Sequence, residues 1–341
     1  MDIINANLAN IWLLLVGFFL LYYALTDGAD LGIGMMTLFV WDSEEKNEMM
    51  QSIHSIWHGN QTWIVILGGM LFGAFPLFYS IVLSALYIPF TLMLFGFIFR
   101  GVAFEFHANA KWKKVWLFSF GIGSLMTTLG QGFALGGLLG GITVEAESFA
   151  GQPGDWINWY SFVATAGVIF GYLMLGSGFL IAKTTTAKLK EWSYRIGRLS
   201  GAVTLIVSAA VFLATSALHQ NMAAKWLEWP PSFLYFFLLL TLVCFYMYFR
   251  SLRQRREFAP LFWNWLIITF SFTGLSIGLY PAMIPSIDTA SLTVQDVAAS
   301  QTTLQFMLVV MAILLPIILA YTSYSYWIFR GKNTMEGYSD H

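Results

Sequence analysis

The chain has 341 residues, of which 58% are hydrophobic and 10% charged, with 17 Lys+Arg against 18 Asp+Glu and a mean hydropathy of +0.69. An ordinary soluble domain is about 25% charged, so these values exclude a soluble enzyme, a disordered chain and a nucleic-acid binder with a basic face. The predicted class is an all-α polytopic membrane protein; a transmembrane barrel is excluded because the apolar runs are continuous rather than alternating.

In chain order, spans are predicted near 8–40, 53–75, 76–103, 115–142, 160–182, 197–219, 231–250, 259–281 and 302–329, all in a single membrane domain. Asp2 stands where a cleavable signal would be positive and no A-x-A site follows, so the first segment is expected to stay as an anchor. At about 1.5 Å per residue this first span would reach roughly 50 Å, against a hydrocarbon core of about 30 Å. It is therefore expected to project or to bend, with Gly28, Gly32 and Gly34 as the predicted bending points. The second and third spans are split at Phe75-Pro76, where proline removes a helix hydrogen bond. Tyr280-Pro281 and Ile284-Pro285 form a double break that ends the eighth span. The glycines between Gly121 and Gly141 predict a tight helix contact, within the chain or between chains.

With nine spans, 16 of the 17 basic residues fall on one side, from Lys46 and Arg100 to Arg330 and Lys332, and only Lys225 on the other. A missed helix would scramble that parity. The positive-inside rule then puts the N-terminus outside and the C-terminus in the cytoplasm.

Ionisable groups inside spans are costly and are functional candidates. Asp27 and Asp30, within TDGADLGIG (26–34), lie three apart on one helix face. They read either as a proton carrier or as a structural pair that caps the helix or meets Arg or Lys. In Trp57-His58-Gly59-Asn60-Gln61-Thr62-Trp63, His58 and Gln61 can come to a similar depth, which suggests a cytoplasmic proton path of Asp27, Asp30, His58 and Gln61. The alternative is a polar helix start with interfacial tryptophans. His54 and His58 lie four apart, but no third ligand converges for zinc; His107 and His219 sit near span ends on opposite sides and His341 is in the tail. No metal or haem site is therefore assigned to this chain. Arg100 reads as an anchor at the inner interface. The one cysteine, Cys244, excludes an intrachain disulfide and a cysteine-ligated cluster. There is no P-loop, dinucleotide fingerprint or nucleophile constellation, so no catalytic residue is assigned.

TDGADLGIG (26–34), WHGNQTW (57–63), GGMLFGAFPLFYS (68–80), FRGVAFEFH (99–107), LYPAMIPS (279–286) and SLTVQDVAASQTTL (291–304) together resemble subunit II of cytochrome bd-type quinol oxidases. The resemblance implies a terminal respiratory oxidase of the bacterial cytoplasmic membrane that oxidises quinol and reduces dioxygen to water. It further implies two b-type haems and one haem d held by a separate subunit I, none of them in this chain. The chain would then support subunit I and shape proton or oxygen access, alongside lipid, quinol, a structural quinone or small accessory subunits. Family members often carry an acidic residue where His58 stands here, so an imidazole would serve as the relay. Trp63 matches a position near an oxygen entrance in some members. The competing readings are a proton-coupled transporter, which predicts a midplane site and an inverted repeat, and a self-contained b-type cytochrome.

Overall fold

The computed structural model describes residues 7–107, 110–219, 224, 233–286, 290–329, 331 and 332. Its helices are α1 (Leu8–Thr37), α2 (Ser43–His54), α3 (Trp57–Ala74), α4 (Pro76–Ala85), α5 (Tyr87–His107), α6 (Lys113–Leu139), α7 (Trp159–Lys183), α8 (Ala187–Leu218), α9 (Phe233–Arg253), α10 (Ala259–Leu279) and α11 (Gln301–Ile328). Two small antiparallel hairpins interrupt them. The strands Val144–Glu145 and Ser148–Phe149 pair between α6 and α7, and Ala282–Ile284 pairs with Leu292–Thr293 between α10 and α11. Among the described residues eight helices are long and apolar enough to cross a membrane, and nine spans result if the bent pair α3–α4 counts as one.

Boundaries differ from the sequence expectation in the second and third spans, and in the sixth, whose helix α8 begins at Ala187 rather than at 197. Pro76 does start a helix, but α4 is only ten residues long and turns by 118° from α3. The third span is α5, which begins at Tyr87. The second span starts at Trp57, because residues 43–54 form a separate amphipathic helix capped by the Asp42 carboxylate, which accepts from Glu44 N at 2.8 Å.

The first span is not broken at its glycines. α1 runs unbroken for 30 residues, about 45 Å, and so projects past a hydrocarbon core of about 30 Å. The glycines serve contact instead. A methyl group on Gly32 would fall 1.9 Å from the Tyr172 carbonyl oxygen, and one on Gly176 would fall 2.6 Å from Ile33 N. Main chain thus lies directly against main chain where α1 crosses α7, which only glycine permits. The glycines of α6 likewise pack inside the chain, Gly123 and Gly130 on α5, Gly132 and Gly136 on α7.

Of four buried hydrophobic clusters among the described residues, the two largest are stacked along α1. One joins Trp12, Phe19 and Tyr23 to Trp63, Phe75 and Ile81; the other joins Leu31, Ile33 and Met36 to Ile53, Phe104, Phe120 and Leu180. One end of the bundle carries the charge. There Lys188 pairs with Glu45 (2.7 Å), Lys190 with Glu257 (2.5 Å), Lys332 with Glu257 (2.8 Å) and Arg255 with Glu191 (2.6 Å). The helix ends that the charge pattern assigned to one side are therefore in contact with one another. Glu257 is part-exposed, and hydrogen bonds from Lys190 and then Lys332 push its carboxyl down to about 2.

Candidate functional site

Asp27, Asp30 and Arg100 are each 0% exposed. They sit where α1, α3, α5 and α11 come together. Asp27 receives both terminal nitrogens of Arg100: Nη1 donates to Oδ2 at 3.1 Å, and Nη2 donates to Oδ1 at shorter range. This is a bidentate fork, the strong geometry for a guanidinium and a carboxylate. Burying two opposite charges is costly, and attraction offsets that cost only with such geometry. Arg100 is therefore not the interface anchor its place near a span end suggested, nor is it a loop charge. Its stem is long enough to reach inward, and an unpaired charge on Asp27 leaves it no better place to go.

Asp30 has a different partner. Asn60 Nδ2 donates to Asp30 Oδ2 at 2.9 Å, and Tyr326 Oη donates to Asn60 Oδ1 at 2.8 Å. Asp30 Oδ1 is buried with no hydrogen-bond partner among the described residues. With two carboxylates and one guanidinium, which bonds Asp27 alone, the group carries one negative charge unless a proton joins it.

A second polar chain adjoins the first. Tyr23 lies one turn before Asp27 on α1. Gln131 Nε2 donates to Tyr23 Oη at 2.6 Å, and Tyr172 Oη donates to Gln131 Oε1 at 2.7 Å. All three come from the middle of long apolar helices, where polar groups must find partners.

His58 and Gln61 do not join the carboxylates. The His58 side chain is 72% exposed on this chain, stacks on Trp57 with ring centroids 3.6 Å apart, and lies 3.6 Å from Glu105. Asn60, two residues further on, faces the other way and is buried. Gln61 is part-buried and is not a hydrogen-bond partner of either carboxylate. Trp63 is buried against Tyr22 and Phe19, with centroids 4.2 and 5.4 Å away, and its Nε1 has no partner among the described residues.

The sequence allows an Arg or Lys partner for the carboxylates, but read locally Arg100 is an anchor, and neither Asn60 nor Tyr326 is marked as a partner. A usable signal existed for the first: Arg100 and the pair Asp27 and Asp30 are ionisable groups of opposite sign in apolar runs, and such groups seek each other. Asn60 was read only as part of its motif. Nothing local marks Tyr326, one of several aromatics at the end of α11.

His54 and His58 lie at the charged end, His107 ends α5, and His219 Nε2 bonds the Leu139 carbonyl oxygen at 2.7 Å at the far end of the bundle. Among the described residues no cluster of three His, Cys, Asp or Glu could hold a metal ion. His341 lies outside the described residues.

The family model described as cytochrome bd terminal oxidase subunit II matches residues 8–329. The chain is 28% identical to the cytochrome bd-I ubiquinol oxidase subunit 2 of Escherichia coli K12, over 96% of this chain and 95% of that protein. It is also 28% identical to the cytochrome bd ubiquinol oxidase subunit 2 of Bacillus subtilis, over 96% of this chain and 97% of that one. The fold is similar to a chain of the bd oxidase from Geobacillus thermodenitrificans, with a TM-score of 0.76, 17% identity, and coverage of 94% of this chain and 98% of that chain.

Proposed function

The chain belongs to the cytochrome bd terminal oxidase subunit II family, and from that premise we propose that its buried Asp27, Asp30 and Arg100 take part in delivering protons for oxygen reduction. It is subunit II of a bd-type quinol oxidase, a terminal respiratory oxidase, and a multi-pass protein of the bacterial inner membrane. A proton-coupled transporter is not favoured.

The observation that carries the proposal is the charge count of the buried group. Arg100 balances Asp27, while Asp30 has only a neutral amide and an unpartnered oxygen. An uncompensated charge in a membrane interior costs several kcal/mol, so a proton arriving at Asp30 Oδ1 completes the site, and its departure is what a carrier does. Reduction of dioxygen to water consumes protons, and bare hydrocarbon does not conduct them. The exposed pair of His58 and Glu105 stands at the end of the bundle that carries the basic residues. Under the positive-inside rule that end is cytoplasmic, with the N-terminus outside. Asn60 does not pass a proton, because its amide donates from nitrogen and accepts at oxygen; its role toward Asp30 is to hold it. Water, or groups of the neighbouring subunit, completes the route from His58 to Asp30.

The family implies haems in the complex, which supply the oxygen chemistry when bound. We place the haems on the partner, subunit I, because the described histidines lie at helix ends of this chain, and no step here runs through them. Asp27→Asn and Asp30→Asn complexes that assemble with their haem absorption intact test the reading. An isosteric amide keeps shape but removes the proton carrier, a group whose catalytic worth is typically about 10²–10⁴-fold, so oxygen consumption and proton uptake should slow together. An assembled double variant with His58→Ala added that turns over at the wild-type rate would mark the cluster as structural.

A further inference from the structure

Tyr326 lies far from Asp30 in sequence, yet hydrogen bonds through a single side chain, Asn60, join the two. The Asn60 amide has two ends, and they are not equivalent. Its oxygen accepts from Tyr326 Oη at 2.8 Å and its nitrogen donates to Asp30 Oδ2 at 2.9 Å. The phenol proton is what sets this order. With the amide reversed, that proton would lose its acceptor in a part-buried site, which is unfavourable. Held as it is, Asn60 offers Asp30 a donor, which suits an ionised carboxylate. Reversed, it would offer an acceptor, which suits only a protonated one.

We propose that Tyr326 is a positioning residue which, by orienting the Asn60 amide, sets the proton occupancy of Asp30. The charged and titratable groups around Asp30 are Asp27 on α1, Arg100 on α5 and Tyr326 on α11, with Tyr22 beside Tyr326 and with Tyr23 and Tyr172 beside Asp27. Only Tyr326 acts through the amide. α11 is otherwise little buried in this chain, with Leu304 and Thr322 its buried side chains. Its ends are held: Trp12 Nε1 donates to the Leu304 carbonyl oxygen at 3.1 Å, and Lys183 Nζ donates to the carbonyl oxygens of Phe329 and Gly331. The tyrosine is thus presented to Asn60 by a helix fixed at both ends, which makes its hydrogen bond a point of control rather than a packing accident.

This inference rests on Asp30 binding a proton, as proposed above, and the test separates the two. The probe is the carboxyl C=O band of Asp30 in pH-difference infrared spectra of the assembled complex, assigned by its loss in Asp30→Asn. Tyr326→Phe keeps the ring and removes only the hydroxyl. It should move the midpoint of that band to higher pH by about one unit, a tenfold change in occupancy. In an Asn60→Leu background the same change should move nothing, because the intermediary is gone. An unchanged midpoint in Tyr326→Phe, an equal shift in the Asn60→Leu background, or the absence of any Asp30-dependent band overturns the proposal. A shifted midpoint together with wild-type turnover in Asp30→Asn would leave the positioning role standing and refute the proton path.

Discussion

Removing the Arg100 guanidinium is the sharpest perturbation available to the buried site. Arg100→Leu deletes both hydrogen bonds to Asp27 and leaves that carboxylate at 0% exposure without a counter-charge. Losing one partner of a buried pair typically costs about 3–5 kcal/mol. At roughly 2 °C per kcal/mol for a chain of this size, the unfolding midpoint of the purified complex should fall by roughly 6–10 °C. The partner substitution is the control. Asp27→Leu combined with Arg100→Leu removes both charges, and replacing a buried pair by apolar groups is often close to neutral. The double variant should therefore regain most of the loss, to within about 2 °C of wild type. Midpoints are read by size-exclusion chromatography after heating, at one pH and one detergent concentration. A double variant no more stable than Arg100→Leu alone would show that the cost lies in lost packing, not in the stranded charge, and would refute the electrostatic account of the site.

Gly32→Ala places a methyl 1.9 Å from the Tyr172 carbonyl oxygen, main chain that cannot step aside, and should destabilise by about 3 kcal/mol; Gly68→Ala, with nothing within 4 Å, should leave the thermal midpoint unchanged. The carboxyl of Glu257 is pushed down from 4.5 to about 2, so its links to Lys190 and Lys332 contribute fully above about pH 4.5 and are lost as pH falls towards 2. Glu257→Gln should flatten that part of the stability profile, and salt should weaken the wild-type contribution because the group is part-exposed. For topology, a cysteine at Lys114 should be labelled only from the cytoplasm and one at Glu147 only from outside; the reverse pattern would invert the orientation.

The class of this protein, a helical membrane protein of many spans, is legible from hydropathy alone. Hydropathy and loop charge are local properties summed over long runs, and a span needs only about 20 apolar residues to declare itself. The boundaries are less legible, since α5 begins at Tyr87 and α8 at Ala187 rather than near 76 and 197, whereas helix ends assigned to one side by charge meet in the network of Lys188, Lys190, Arg255 and Lys332. The glycines of α1 were visible, but their use was not. Whether Gly32 bends a helix or admits a neighbour depends on whether a backbone lies against it, and Tyr172 of α7 does. The same limit applies to the candidate site. Asp27 and Asp30 stand out because a carboxylate in an apolar run is costly wherever it goes, whereas its partner is set by packing. The partner of Asp27 is 73 residues away, and the hydrogen bond between Asn60 and Tyr326 spans 266. His58 and Asn60 are two positions apart and equally polar to a reader of the sequence, but the rotation of α3 turns one outward and the other onto Asp30. Only the tertiary structure decides such pairings, because a helix exposes its faces by phase and a buried charge takes whichever partner the crossing helices bring within hydrogen-bonding distance.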